Sequence, residues 1–406
     1  MTDSFEFAHA EGGLTAPGGF LASGVSAGIK KSGKRDVCLI VAEERCPASG
    51  VFTTSSTAAP PVLVSREHLA DGYLRAIVVN AGNANACTGE QGLADARMMA
   101  QSAADALGCA PVEVAVCSTG VIGVGLPIEL VTAGIAEAAT VLDTTNGDAA
   151  AEAIMTTDTF TKQLAISVNV GGRTFTVGGM AKGSGMIQPN MATMLAFITT
   201  DAPLNATACD TLLRAAVARS FNRITVDSDT STNDSCILMA SGVEGGPVLE
   251  PGSESYAAVS AAICEVCTAL AQMVVRDGEG ATKFVTITVR GADTEHDAET
   301  AAFAIANSPL VKTALFGEDA NWGRVAGAIG KSSARVDSAR LEIIFAGIVT
   351  CRNGSAVPFD EAEAAHALAA SEIDVIADLH LGDSKATVWT CDLSYEYVRI
   401  NGEYRS

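Results

Sequence analysis

Helix-period and strand-period stretches alternate along this 406-residue chain. That alternation restricts it to α/β or α+β architectures more tightly than any other feature. The clearest helix is 253–276, where Val259, Ile263, Val266, Leu270 and Met273 recur at four- and three-residue intervals. Arg276 suits its last turn and Gly278 its termination, which leaves Glu279 in the loop just beyond. Similar patterns predict helices over 128–142 and 205–221, the second with Asn205 as N-cap. Strands are predicted over 163–170, 173–180, 194–200, 283–291, 340–347, 373–382 and 385–393, several rich in β-branched residues. With 48% apolar residues the chain can bury a sizeable core, and no short-period repeat or low-complexity linker interrupts it.

Charge excludes several classes of partner. Lys and Arg number 26 against 47 Asp and Glu, a formal net charge of −21. Nucleic acid and anionic membrane surfaces need basic patches, so neither is expected, although a local basic pocket for a small carboxylate remains compatible. The opening MTDSFEFAHAEGG lacks the cationic stretch and apolar core of a signal peptide. No uninterrupted apolar run approaches the ~20 residues that span a bilayer, and a cytoplasmic location is expected. Eleven cysteines scatter from Cys38 to Cys391 without a repeated framework. Cys264 and Cys267 lie within a helical pattern with no second pair at zinc-ribbon spacing, so free thiols in a reducing compartment are expected. The five histidines are far apart and none falls in a metal-binding pattern, so no metal is expected.

The chemistry concentrates in GGMAKGSGMIQPNMATMLAFITTDA, residues 178–202. Gly178, Gly179, Gly183 and Gly185 permit backbone conformations and close approaches closed to other residues. Lys182 places one cation inside that glycine loop, and Pro189-Asn190 punctuates the chain before a buried strand with Thr193 near its start. A P-loop is excluded because the GxxxxGK[ST] arrangement is missing. A threonine hydroxyl is a weak nucleophile unless a base stands beside it. Breaking the Ala192–Thr193 bond would supply one: the new α-amine, with a pKa of ~7.7–8, lies within reach of its own hydroxyl.

This segment closely resembles the self-processing site of the ornithine/glutamate N-acetyltransferase family of arginine biosynthesis. The likeness continues in order through GVSAGIKKSGKRDVCLI, AAPPVLVSREHL, AIVVNAGNANACTGEQG, CSTGVIG, AIMTTDTFTK, SFNRITVDSDTSTND, FGEDANWGRV and the terminal YVRINGEYRS. The resemblance implies an α/β fold, a composite layered arrangement with β-sheet enclosed by helices, like that of ornithine acetyltransferases and self-cleaving aminopeptidases. It implies cleavage between Ala192 and Thr193 into an α chain, 1–192, and a β chain, 193–406, associated as a heterotetramer of two α and two β chains. Carried over by position, the nucleophile is Thr193 and the oxyanion-hole pair is Thr119 and Gly120. Read alone, the STG sequence around that pair is an ordinary turn. Substrate contacts fall on Thr156, Lys182, Thr193, Glu279, Asn401 and Ser406. Cation and hydroxyl suit an α-carboxylate, and a carboxylate such as Glu279 suits an amine. The C-terminal KATVWTCDLSYEYV is expected to dock as a strand, so that the tail can close over the site.

The reaction so implied is ping-pong acetyl transfer from N2-acetylornithine to glutamate, with no cofactor required and acetyl-CoA a further candidate donor. Two other readings compete: a self-cleaving hydrolase such as an aminopeptidase, and a non-catalytic amino-acid-binding protein with an uncut chain. Two departures stand out. Ser228 occupies a position where the family pattern has Gly, and Gly402-Glu403 replaces Ala-Asp. The NAGNANAC and GEDANWGR segments receive no role.

Overall fold

The large sheet owes its burial to strands that are apolar on both faces. In VCLIVA, residues 37–42, every side chain is buried, the pattern of a strand covered from both sides. The computed structural model describes residues 5–188 and 194–403. Nine strands build this sheet: β1 Phe7–His9, β2 Phe20–Val25, β3 Val37–Phe52, β4 Tyr73–Asn83, β5 Val114–Val121, β6 Lys162–Val170, β7 Arg173–Lys182, β8 Leu195–Thr200 and β9 Ser235–Ala240. Their order is β1-β6-β7-β8-β9-β3-β4-β5, with β2 also pairing β3. The long β3 joins two halves: Val37–Val41 pair with β2 and β4, and the register shifts before Ala48–Phe52 pair with β9. Most neighbours are antiparallel, but β4 with β5 and β8 with β9 run parallel.

Helices cover both faces, as an α/β layered fold requires. Glu254–Arg276 lies over β6 and β7 and buries Val259, Ile263, Val266 and Leu270 completely. Each such side chain contributes about 1.5–3 kcal/mol. Gly179 makes this approach possible, because a Cβ there would stand 2.9 Å from Val266 and Leu270. Ser253 caps the helix by accepting a hydrogen bond from Tyr256 N at 3.2 Å. By length and mean hydropathy (1.8) this helix could cross a bilayer, but its apolar stripe packs into the core. Asn205 likewise caps Ala206–Arg219, accepting from Ala208 N at 2.8 Å. On the other face, Gly147–Ile154 packs against β2, with Phe20 and Phe197 in the shared core. All eleven cysteines are free and most are buried.

A second, six-stranded sheet follows: β10 Phe284–Ala292, β11 Glu342–Phe345, β12 Ile348–Arg352, β13 Ser355–Ala356, β14 Glu372–Asp378 and β15 Ser384–Cys391, in the order β13-β12-β11-β14-β10-β15. It carries its own core against the helix Glu295–Ala306. The architectural boundary therefore lies near Phe284, far beyond Thr193, and β8 and β9 complete the first sheet between β7 and β3. Each strand expected beyond residue 162 is present. The tail is the exception, because the strand ends at Cys391 and Tyr395–Glu403 is helical. Ser394 makes the turn: its hydroxyl donates to Gly280 O and accepts from Glu396 N at 3.1 Å, which starts a new element.

Candidate active site

A cleft of about 110 Å³ opens where β5, β7, β8 and the loops after residues 154, 230 and 276 converge. Thr119 and Gly120 reach it from the end of β5, which runs parallel to β4 with Gly120 opposite Gly82. Gly120 has φ +132°, and a Cβ there would lie 2.3 Å from Gly82 C and 2.6 Å from Asn83 N. No other residue fits that crossing. The NAGNANAC segment, unassigned from sequence, is its scaffold. Buried Asn80 accepts from Ser118 Oγ (2.6 Å) and donates to Asn83 O (2.9 Å). Asn83 donates to Val124 O and Gly125 O, and Asn233 donates across to Ala84 O at 2.6 Å.

Lys182 comes from the last position of β7, paired with Leu195, rather than from a glycine loop as expected. Among the four glycines around it, only Gly183 has positive φ (+154°). The other three serve close approach: a Cβ on Gly185 would fall 2.4 Å from the Glu279 carboxyl, and one on Gly178 2.2 Å from Gly13 O. Lys182 Nζ donates to Thr156 Oγ1 at 2.7 Å and to Thr119 Oγ1 at 3.2 Å, which gathers three expected residues around one cation. Burial lowers the Lys182 pKa; Asp158 opposes that shift and Lys162 adds to it.

Beneath them lies an ionic cluster that sequence reasoning did not foresee. Fully buried Lys162 donates to Asp158 Oδ1 (2.7 Å) and to Asp277. Asp158 also accepts from Gly183 N (2.7 Å) and Thr156 N (2.9 Å), so it fixes both the turn after Lys182 and the Thr156 backbone. Burial opposes ionisation of Asp158, but Lys182 and Lys162 overcome it and hold the carboxyl well below the usual range. Across the cleft, Glu279 N donates to Ser184 O at 2.9 Å, and Asn401 Nδ2 reaches Glu279 Oε2 at 2.8 Å from the tail helix. Asp227 accepts from Met186 N and Ile187 N at 2.6 and 2.7 Å and holds the 184–187 turn in place.

Six expected residues, Thr119, Gly120, Thr156, Lys182, Glu279 and Asn401, thus line one cleft. Ala192, Thr193 and Ser406 lie outside the described residues, but Met194 and Leu195, next in the chain, line the same cleft. Ser228 adopts φ +67°, a left-handed conformation that explains why glycine suits that position. Residues overlooked from sequence include Ser231, Asn233 and Asp234. Their one signal was a polar run, DTSTNDS, directly before the apolar CILMA of β9. The GEDANWGR segment starts the helix Trp322–Gly330, capped by Asn321, and none of it lines the cleft. Among the described residues no group of three or more His, Cys, Asp or Glu could hold a metal ion.

A buried lysine flanked by two threonine hydroxyls, a carboxylate opposite and a glycine-forced crossing form a polar cleft whose charges suit a small zwitterionic molecule. Comparison with known proteins narrows this further. The ArgJ family profile matches residues 21–406. The arginine biosynthesis bifunctional protein ArgJ of Symbiobacterium thermophilum is 53% identical over 397 residues, covering 97% of this chain and 99% of that one. Its namesake from Geobacter sulfurreducens is 49% identical over 389 residues, covering 96% and 99%. A crystal structure of the Bacillus halodurans ArgJ matches with 42% identity and a TM-score of 0.51, over 52% of this chain and 100% of that one. The chain belongs to the ArgJ family.

Proposed function

We propose that this acyltransferase of arginine biosynthesis moves an acetyl group from N2-acetylornithine to glutamate by way of an acetyl ester on Thr193. The observation that carries the reading is the convergence of Thr119, Gly120, Lys182 and Glu279 on the cleft that Met194 and Leu195 line. In the first half-reaction Thr193 Oγ attacks the acetyl carbonyl and its proton passes to the Thr193 α-amine. Backbone donors at Thr119 and Gly120 face the oxyanion, and the amine returns the proton to the departing ornithine nitrogen. In the second, the glutamate amine attacks the ester and restores the Thr193 hydroxyl. Lys182 and Thr156 hold an α-carboxylate, and Glu279, steadied by Asn401, takes the ammonium end. Ser406 closes the tail side. Acetyl-CoA serves as an additional donor, and the reaction uses no metal or prosthetic group.

The α-amine requires cleavage at Ala192–Thr193, which gives chains 1–192 and 193–406 in a cytoplasmic heterotetramer of two α and two β chains. The interleaving of β8 and β9 between β7 and β3 supports this, because such chains would stay joined through the sheet after the cut. The decisive experiment combines N-terminal sequencing with a transfer assay. The purified protein should show a second chain beginning Thr193-Met194-Leu195, and glutamate should be acetylated from N2-acetylornithine and from acetyl-CoA. A fully active uncut chain would defeat the mechanism. Release of free acetate regardless of glutamate would point to a hydrolase instead.

A further inference from the structure

The methyl of an acetyl group needs an apolar place in the cleft, which the charged groups and hydroxyls assigned above do not supply. Among the described residues the apolar lining falls into two groups. Ala84 and Ile122 lie just beyond the ends of β4 and β5, whereas Met186, Met194 and Leu195 lie after β7 and at the start of β8. The first group continues the ladder that carries Thr119 and Gly120. Gly120 stands opposite Gly82 and Val121 opposite Asn83, and Ala84 N then donates to Val121 O at 2.9 Å, so Ala84 and Ile122 make the next step.

Covalent geometry selects between the two groups. An acyl oxygen resting on the Thr119 and Gly120 N–H groups keeps its methyl within about 5 Å of those nitrogens. The same carbonyl carbon bears the nitrogen of the leaving amino acid on its other side, and that nitrogen leads to the α-carboxylate at Lys182. Leu195 pairs with Lys182, so the β7–β8 side is taken by the amino acid and the methyl is directed to Ala84 and Ile122. The wall there is stiff. Asn233 Nδ2 holds Ala84 O at 2.6 Å, Asn85 Nδ2 donates to Gly92 O at 2.8 Å, and Gly123 N donates to Ala86 O at 3.0 Å. Between these asparagine ties, Ala84 (2% exposed) and fully buried Ala86 pack with Ala59 into a small cluster against which half-buried Ile122 rests. Alanine has no side-chain torsion through which to yield, and β-branched Ile122 is restricted at χ1.

We propose that Ala84 and Ile122 set the acyl-chain length of the site: they close around the methyl, so that acetyl is accepted and acyl groups longer by a methylene or more are rejected. This rests on the reading of the cleft as an acetyl-transfer site. The rejected class comprises propionyl and butyryl donors, whether amide or thioester, because both kinds of donor present the same acyl group to the same wall. The alternation of asparagine and alanine in NAGNANAC then has a reason: asparagines fix the backbone, and alanines leave room for one methyl and no more.

Transfer to glutamate from N2-acetyl-, N2-propionyl- and N2-butyrylornithine measures this on the full-length protein. One methylene in an apolar pocket changes kcat/KM by about 10–200-fold, so wild type should favour acetyl over propionyl within that range and handle butyryl less well still. Ile122→Ala opens the wall and should raise the propionyl-to-acetyl ratio of kcat/KM about tenfold or more. Ala84→Val fills the methyl's place and should slow acetyl transfer about tenfold or more. Combining it with Ile122→Ala should restore much of that loss, a rescue that a merely structural role would not give. A wild type that moves propionyl as fast as acetyl overturns the proposal, as does Ile122→Ala with an unchanged ratio. A ratio raised by Met186→Ala but not by Ile122→Ala puts the methyl on the β7 side and also overturns it. Should Ile122→Ala not fold, Ile122→Val makes the same comparison with a smaller opening, and its ratio should still rise about threefold. A wild type that moves no acetyl from N2-acetylornithine to glutamate removes the function assigned to the cleft. One that moves acetyl, with the ratio unmoved in both Ile122 variants, removes only the role of the wall.

Discussion

Replacing Gly120 by alanine tests the geometry of the site at its tightest point. The new Cβ would meet Gly82 C at 2.3 Å, Asn83 N at 2.6 Å and Gly82 Cα at 2.8 Å, all backbone atoms. Restoring an ordinary contact of roughly 3.4 Å to Gly82 C needs a separation of about 1.1 Å. The φ of +132° adds backbone strain of about 1–3 kcal/mol. Gly82 and Asn83 cannot easily retreat. Asn80 holds Asn83 O, the Asn83 side chain is tied to Val124 O and Gly125 O, and Ala84 N donates to Val121 O at 2.9 Å. The shift therefore falls on Thr119 and Gly120, whose donors are assigned to the oxyanion. Losing one such donor costs about 10²–10³ in kcat, and a misplacement near 1 Å alone costs about 10². Gly120→Ala should thus transfer acetyl groups from N2-acetylornithine to glutamate at least ~100-fold more slowly, with KM little changed. Circular dichroism should show the fold intact, and a denaturing gel should show slower cutting at Thr193. A folded, cut variant with kcat within threefold of wild type would refute the oxyanion assignment and the claim that β4 is the unyielding partner.

Lys162→Met strips the cation from between Asp158 and Asp277 and leaves two buried carboxylates facing each other. Urea unfolding should show a loss of about 3–5 kcal/mol, and a loss under about 1 kcal/mol would mean that the cluster is not what fixes the 156–183 region. The depressed pKa of Asp158 gives a pH signature: its stabilisation is complete above the unfolded value of about 3.9 and is lost as pH falls further toward the folded value. Asp158→Asn should therefore flatten the acid side of the stability curve; an unchanged slope below pH ~4 counts against it. Ser228→Gly removes a left-handed serine at φ +67° and should raise stability by about 0.5–1 kcal/mol; a destabilised variant would show that the serine side chain offsets its own strain.

Legibility divides along physical lines. The helix Glu254–Arg276 was readable because its 3.6-residue stripe, its Ser253 cap and its C-terminal Arg276 are local signals that all agree. Seven strands from β6 onward were readable from their β-branched content, whereas β9, β12 and β13 received no prediction. The strands β2 to β5 received no prediction, because continuous apolar runs carry no period and cannot be told from buried helix by pattern alone. The SYEYV tail read as strand from its aromatic and β-branched residues, but docking of Ser394 against Gly280 turned it into a helix.

The candidate site divides differently. Sequence alone named Thr119, Gly120, Thr156, Lys182, Glu279 and Asn401 through the family resemblance, and alternation set the fold class. What no local signal contains is the distance between segments far apart in the chain. Only the tertiary structure brought Lys182 to the hydroxyls of Thr119 and Thr156 and set Lys162 between Asp158 and Asp277. It also left Asp234 buried with one oxygen open beside Met194. Parallel pairing of β4 with β5 and of β8 with β9, each across a long crossover, is what carries Thr119 and Leu195 to the same cleft. A residue's sequence shows its capacity for charge or hydrogen bonding, and burial among particular partners decides which of those capacities is used.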